Sequence, residues 1–127
     1  IVTGDMNVNQ DSEWYKNFVA SGVLKDSFVS ARYRFAPSGT FSTFTPTRYS
    51  TNRIDHIFVT KGTKVSRYGV LTYHYFRDMT AKEEAMDTLA PKEIKGENRE
   101  IKCPSDHYPI QSFITLKSTP KSKKSKK

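Results

Sequence analysis

Three short polar motifs offer most of the chemistry in this sequence. They are Gly4-Asp5-Met6-Asn7, Arg53-Ile54-Asp55-His56 and Ser105-Asp106-His107, and each lies beside a run of apolar residues. Together they supply three carboxylates, one carboxamide and two imidazoles. These groups suit the cleavage of a phosphate ester with a divalent metal ion, because carboxylates bind such ions and an imidazole can carry a proton.

The first motif predicts two oxygen ligands on one side of the chain. Asp5 and Asn7 lie two residues apart, just past the end of a predicted strand, and side chains at this spacing in extended backbone point the same way. Carboxylate and carboxamide oxygens on one face suit Mg²⁺, a phosphate oxygen or an attacking water. The alternative is a simple strand-end turn, since Gly, Asp and Asn are common turn residues.

The other two motifs predict a base and the carboxylate that orients it. The ordinary pKa of a histidine lies near neutral pH, so His107 can act as a general base. A buried Asp55 would fix the tautomer of that ring and stabilise its cation. The alternatives are an ion pair of Asp55 with Arg53 or Arg48 and an Asx-turn at Asp106.

The motifs, taken in order, resemble those of the endonuclease/exonuclease/phosphatase family, the deoxyribonuclease I-like superfamily. The resemblance lies in Gly4–Asn7, in Arg53–Val59 and in Pro104–Pro109. The segment Gly39–Phe44 is also similar to a loop common in bacterial branches of that family. In all, the resemblance covers residues 1 to about 75 and 103 to 116.

The resemblance implies an α/β (α+β) fold in which two mainly antiparallel sheets form a four-layer α/β/β/α sandwich. This chain would be the C-terminal half of it. The implied activity is metal-dependent hydrolysis of phosphoesters, as a phosphodiesterase, nuclease or phosphatase, by in-line attack of an activated water. Nothing in the sequence selects the substrate among nucleic acids, phospholipids and small phosphate esters, and the localisation is open.

The resemblance also implies roles for individual residues. Asp5 and Asn7 would hold the attacking water and the phosphate, while Asp106 and Asp5 would bind Mg²⁺ or Mn²⁺. His107 would be the base or an electrostatic clamp, and Asp55 would orient it.

Two departures from the family pattern limit this assignment. In the bacterial loop, Thr40 and Ser42 would contact the substrate, but the family often has His at the position of Ser42. The family's main metal-binding Glu belongs to the first half of the fold, and no Glu of this chain has a matching context. We therefore expect an N-terminal half of the domain upstream of Ile1 and expect this chain alone to be inactive and poorly soluble. No obligate protein partner is inferred.

The hydrophobic pattern places the motifs on a few elements. We predict strands at 1–3, 53–60, 65–75 and 108–116, a strand or extended segment at 24–29, a helix at about 12–21 and a loop at 35–47. Within the strand at 53–60, His56 falls on the face opposite Asp55 and is predicted to be buried. The single cysteine, Cys103, excludes an intrachain disulfide and is predicted to be a small buried hydrophobe.

Residues 1–117 are predicted to form the domain part, with a helical and charged insertion at 77–102. Within the insertion, Thr80 and Glu83 have the spacing of a capping box. Residues 118–127 are predicted to be a disordered basic tail, whose five lysines account for most of the net charge of +8. The tail supports an alternative function, a non-catalytic module that binds nucleic acid or membrane, although a solubilising terminus is the simpler interpretation.

Overall fold

The computed structural model describes residues 1–35, 38–44, 50–82 and 99–116 of the 127-residue chain. The elements are β1 (Val2–Asp5), α1 (Glu13–Ala20), β2 (Leu24–Asp26), α2 (Ser27–Ser30), β3 (Tyr33–Phe35), β4 (Asp55–Thr60), β5 (Lys64–Val70), β6 (Tyr75–Asp78), β7 (Arg99–Lys102) and β8 (Ile110–Thr115). Most of the predicted insertion and the whole predicted tail lie outside the described residues, so both remain predictions.

The strands form two three-stranded sheets and one strand pair. The first sheet has the order β1-β4-β2 and is antiparallel throughout. The second has the order β3-β5-β8, in which β3 runs parallel to β5 and β8 antiparallel to it. The third is the antiparallel pair of β6 and β7. The predicted α+β class with mainly antiparallel strands is therefore confirmed. No helix in the described ranges is long and apolar enough to cross a membrane.

The main core lies between the two three-stranded sheets. Val59 of β4 and Tyr68 of β5 are almost fully buried there, with Ile57 and Ile110 packed against them. Cys103 is buried in the same cluster, as predicted, and its Sγ lies 3.7 Å from the Tyr108 hydroxyl. Because side chains alternate along a strand, the apolar residues that fill this core also determine which polar residues of β4 face the second sheet.

Helix α1 covers the opposite face of the first sheet. Ser12 caps it by accepting a hydrogen bond from the Tyr15 backbone N–H at 3.2 Å, and the helix ends at Ala20 before Gly22. Its Tyr15 and Phe18 rings pack on Phe58 of β4. The helix predicted at about 12–21 is confirmed, and Ser12 is a residue type that commonly caps a helix.

Several predicted segments are wrong in detail. The strand or extended segment predicted at 24–29 is a strand only to Asp26, whose carboxylate accepts from the Phe28 N–H and starts α2. The strand predicted at 65–75 ends at Val70, and the later residues of that stretch lead into β6. Residues 99–102 of the predicted insertion pair with β6 as strand β7. Only one of these four residues, Ile101, is apolar, so the sequence offers no strand pattern there.

A buried polar cluster lies between β4, β2 and α1. Asp26 Oδ2 accepts from the Arg53 guanidinium at 2.8 Å and from the Tyr15 hydroxyl at 2.7 Å, and His56 Nδ1 lies 3.8 Å away. The Arg53 guanidinium also lies over the Phe28 ring, 3.7 Å from its centroid. Arg53 thus pairs with Asp26 and not with Asp55, and His56 is fully buried, as predicted.

Candidate active site

The pairing of β1 with β4 brings two of the predicted carboxylates together. Asp5, the last residue of β1, is the register partner of Asp55, the first residue of β4. One step along each strand, Gly4 is paired with His56, whose side chain faces α1. Two like charges directly opposite one another destabilise a sheet unless a positive charge lies between them. A cation close to both carboxylates would therefore stabilise this pairing.

His107, in the segment that leads into β8, places its imidazole next to both carboxylates. Its Nδ1 lies 2.9 Å from Asp55 Oδ2, and its Nε2 lies 3.8 Å from Asp5 Oδ2. An ionised carboxylate can only accept, so Nδ1 carries a proton and donates it to Asp55. The hydrogen bond to Asp55, opposed in part by burial and helped by the charges of Asp5 and Asp106, raises the pKa of His107 above its ordinary value.

A surface cavity adjoins the two carboxylates. A cavity of about 340 Å³ is lined by Thr3, Gly4, Asp5, Asp55, His56, Ile57 and Ile110. The side chains of Asp5 and His107 are 34% and 26% exposed, whereas that of Asp55 is only 17% exposed. Asp5 and the Nε2 edge of His107 are thus the more accessible groups, and Asp55 lies behind the ring that it holds.

The expectation that the side chains of Asp5 and Asn7 point the same way assumed extended backbone at both residues, and this assumption is wrong. Asn7 does not continue the strand but has a φ of +52°, a left-handed conformation that Asn adopts more readily than most residues. Its backbone N–H donates to Asp5 Oδ1 at 2.8 Å, which is the turn that the alternative reading anticipated. The Asn7 side chain is exposed near the site, and its predicted contact with phosphate remains a prediction.

Asp106 lies beside the group formed by Asp5, Asp55 and His107 but does not belong to it. Its Oδ1 is 3.4 Å from the Ser105 hydroxyl, and its backbone carbonyl accepts from the N–H groups of Ser42 and Thr43. The turn here is made by Ser105, whose Oγ accepts from the His107 N–H at 3.1 Å. Its predicted role as a metal ligand remains a prediction.

The two predicted substrate-binding hydroxyls are fully buried. Thr40 Oγ1 accepts from the backbone N–H groups of Ile54 and Asp55, and Ser42 Oγ donates to the Ser105 carbonyl at 2.9 Å. Both hydroxyls thus bond to backbone groups of the segments that carry the site. This burial favours a positioning role over direct contact with substrate.

Within the described residues, one group of side chains has the spacing of a metal site. It consists of Asp5, Asp55 and His107, whose donor atoms all lie within 4.8 Å of one another. Divalent cations such as Mg²⁺ and Mn²⁺ prefer carboxylate oxygens, so Asp5 offers the most accessible suitable ligand. Asp55 is less suited to direct ligation because its Oδ2 already bonds to His107.

Phe41 is a neighbour of the site; from the sequence it could line a cleft but was more readily explained as a core residue. Phe41 and His107 form an isolated antiparallel bridge, and their rings meet edge to face with centroids 5.1 Å apart. Phe41 is 43% exposed and lies in the segment Gly39–Phe44 that resembled a family loop. That resemblance was the one available signal, since a bridge between residues so far apart in sequence leaves no local pattern.

The chain is similar to known proteins. The model of the endonuclease/exonuclease/phosphatase family matches residues 1–107. Among curated proteins the search found no match. Among solved structures, the chain is similar to a mannosyl-6-phosphatase from Bacteroides thetaiotaomicron, with 38% identity and a TM-score of 0.71 over 90% of this chain and 36% of that one.

Two further structures extend the likeness. An endonuclease/exonuclease/phosphatase family protein from Bacteroides thetaiotaomicron is 38% identical, with a TM-score of 0.73 over 88% of this chain and 35% of that one. A conserved protein of unknown function from Enterococcus faecalis is 24% identical, with a TM-score of 0.56 over 91% of this chain and 35% of that one. At this identity the similarity shows a shared fold alone. The chain thus spans about a third of the length of the proteins it matches.

Proposed function

Because the chain belongs to the endonuclease/exonuclease/phosphatase family, we propose that it forms the C-terminal catalytic part of a metal-dependent phosphoester hydrolase. The observation that carries the proposal is the Asp55–His107 hydrogen bond beside the exposed carboxylate of Asp5. This arrangement matches a general base or cationic clamp together with the carboxylate that orients it. Since the chain covers only about a third of the matched proteins, activity is proposed for the longer polypeptide.

Each residue of the site has a proposed task. Asp55 holds the His107 ring with its Nδ1 proton bound, so that Nε2 is left to face the cleft. His107 either takes a proton from the attacking water at Nε2 or, as a cation, stabilises negative charge on the phosphate. Asp5 and Asn7 hold the water and the phosphate for in-line attack. The turn between Asp5 and Asn7 fixes the backbone from which both side chains extend.

A divalent ion fits the donor set on this face. Asp5 is an exposed carboxylate within 4.8 Å of the donor atoms of Asp55 and His107, and the paired carboxylates favour a positive charge nearby. We propose Asp5 and Asp106 as the ligands, although Asp106 lies outside that group, and leave Asp55 to His107. When bound, Mg²⁺ or Mn²⁺ would supply Lewis-acid stabilisation of the charge on the phosphate oxygens.

The similarity to a mannosyl-6-phosphatase favours phosphate monoesters of sugars as the first substrates to test. That activity belongs to the Bacteroides protein, and fold alone does not transfer it. A phosphodiester should be tested in parallel because the family includes nucleases. The binding-module alternative rests on the tail at 118–127, outside the described residues, and stays a prediction.

The test is hydrolysis by the longest polypeptide that contains this chain. Release of phosphate from mannose 6-phosphate, and of nitrophenol from bis(4-nitrophenyl) phosphate, should require Mg²⁺ or Mn²⁺ and stop with EDTA. His107→Ala should reduce kcat by about 10³-fold, within the range for loss of acid–base catalysis.

His74→Ala is the matched control for that variant. His74 is exposed, and its Nδ1 lies 3.2 Å from the carbonyl of nearby Thr72, so its loss should leave kcat unchanged. Turnover that survives His107→Ala, or that needs no divalent ion, would contradict the proposed mechanism.

A further inference from the structure

Thr40 connects the two chain segments that carry Asp55 and His107. Its Oγ1 accepts from the backbone N–H of Ile54 at 3.0 Å and from that of Asp55 at 3.1 Å. Its backbone carbonyl accepts from the Tyr108 N–H at 2.7 Å, one residue beyond His107. The buried Thr40 thus bonds both to the backbone at Asp55 and to the backbone next to His107.

We propose that Thr40 is a positioning residue, whose hydroxyl sets the distance between Asp55 and His107 without touching the substrate. The proposal rests on the proposed function, in which that pair acts as a unit. Thr40 was expected from sequence to contact substrate, but its side chain is 0% exposed. A hydroxyl has two lone pairs, and both are used here to hold the start of β4.

The backbone around Thr40 is fixed by contacts that do not involve its hydroxyl. The Gly39 N–H donates to the Ser50 carbonyl, and a Cβ at Gly39 would come within 2.6 Å of the Asn52 carbonyl oxygen. Only glycine therefore permits this close approach to the segment that leads into β4. On the other side, the Ser42 hydroxyl is bonded to the Ser105 carbonyl. Loss of the Thr40 hydroxyl should therefore move Asp55 and leave the loop in place.

The expected displacement follows from the two N–H groups that would lose their acceptor. An unsatisfied backbone donor is costly, so the start of β4 would shift toward water or another acceptor. Asp55 lies at that start, and its Oδ2 is 2.9 Å from His107 Nδ1. A shift of a fraction of an ångström is enough to weaken this hydrogen bond and misalign the ring.

The test compares Thr40→Val with Thr40→Ser in the longest polypeptide. Valine keeps the branched shape but has no hydroxyl, whereas serine keeps the hydroxyl. Thr40→Val should lower kcat by about 10- to 100-fold per folded molecule, while KM changes by less than about threefold. Proton NMR should show the downfield His107 Nδ1–H signal weakened or lost in Thr40→Val and retained in Thr40→Ser.

Ser27→Ala serves as a matched control for the loss of a buried hydroxyl. Ser27 is also 0% exposed, and its Oγ accepts from the Ser112 hydroxyl at 2.8 Å, away from the cleft. This variant should be destabilised but should retain wild-type kcat and the His107 signal. A purely structural role for Thr40 would give the same pattern as Ser27.

The outcomes separate this proposal from the proposed function. If His107→Ala is inactive but Thr40→Val keeps both kcat and the Nδ1–H signal, the positioning role is wrong and the hydrolase stands. Equal losses in Thr40→Ser and Thr40→Val would also overturn it, since the hydroxyl would not be responsible. If His107→Ala remains active, the proposed function is wrong, and the NMR signal alone still decides what Thr40 holds.

Discussion

Two carboxylate–histidine clusters lie on opposite faces of strand β4. On the face toward α1, His56 lies near Asp26, and both are at most 1% exposed. At the cleft, His107 is bonded to Asp55, and both side chains are partly exposed. Adjacent residues, Asp55 and His56, thus contribute to two different clusters because successive side chains of a strand point to opposite faces.

The clusters differ in how far their carboxylates are buried and in how many hydrogen bonds those carboxylates accept. Asp26 Oδ2 accepts from Arg53 and Tyr15, and Asp26 Oδ1 accepts from the Phe28 N–H. At the cleft, Asp5 Oδ2 and His107 Nε2 are 3.8 Å apart, farther than a hydrogen bond. The Asp26 carboxylate is therefore used up within the fold, although His56 Nδ1 has no hydrogen-bond partner among the described residues, whereas the partly exposed carboxylate of Asp5 is available to a ligand. The same chemical groups are expected to serve structure or reactivity according to their burial.

The largest effect that distinguishes the clusters is expected from Asp26→Asn. Asparagine keeps the shape and the cap on Phe28 but leaves the Arg53 charge buried without its counter-ion. Loss of one partner of a buried ion pair should lower the free energy of unfolding by about 3 kcal/mol, measured by urea denaturation. The kcat per folded molecule should stay near wild type.

Asp78→Asn is the control for that substitution. Asp78 is paired with Arg99 at 3.2 Å, but its side chain is 85% exposed, so the change in stability should be small. A similar loss in both variants, or a loss of kcat in Asp26→Asn with stability unchanged, would contradict the division between a structural and a reactive cluster.

The sequence predicted the parts of this division that depend on local periodicity. Alternation along 53–60 placed Asp55 and His56 on opposite faces, and that is confirmed. It did not predict that Arg53 pairs with Asp26, because the two residues are 27 positions apart and a pattern within one strand does not specify such a partner. The hydrogen bonds from the backbone of Ile54 and Asp55 to Thr40 were missed for the same reason.

Other errors lie at the ends of strands, where the backbone conformation of a single residue determines the direction of the chain. Asn7, just past the end of β1, was expected to have extended backbone, but its positive φ turns the chain there. The extended segment was predicted to continue to Val29, whereas it ends at Asp26, whose carboxylate caps α2. Short polar residues at strand ends permit both conformations, so tertiary contacts make the choice.

A smaller effect is expected when acid titrates the buried cluster. Burial opposes ionisation of Asp26, but His56, the charge of Arg53 and the Tyr15 hydroxyl outweigh it and lower the pKa from 3.8 to about 2. A lowered folded-state pKa adds stability above the unfolded value, and that stability is lost as pH falls through the folded value. The loss should be roughly 2 kcal/mol between about pH 4 and pH 2.

Urea denaturation of wild type and Asp26→Asn over this pH range isolates the contribution of Asp26, because the other carboxylates titrate in both proteins. The difference in unfolding free energy between the two proteins should shrink as the pH falls. A constant difference across the range would mean that Asp26 does not titrate with the lowered pKa.

The smallest effect, a shift of the pH–rate profile, tests the cleft cluster. The hydrogen bond to Asp55 is the main cause of the raised pKa of His107, so Asp55→Asn should lower that pKa. If His107 acts as a neutral base, kcat/KM rises with pH through its pKa, and the rising limb should move to lower pH in the variant. If His107 acts as a cation, the falling limb should move to lower pH. Whether the rising or the falling limb moves therefore distinguishes a general base from a cationic clamp. If Asp55→Asn leaves the pH–rate profile unchanged, a group other than His107 titrates.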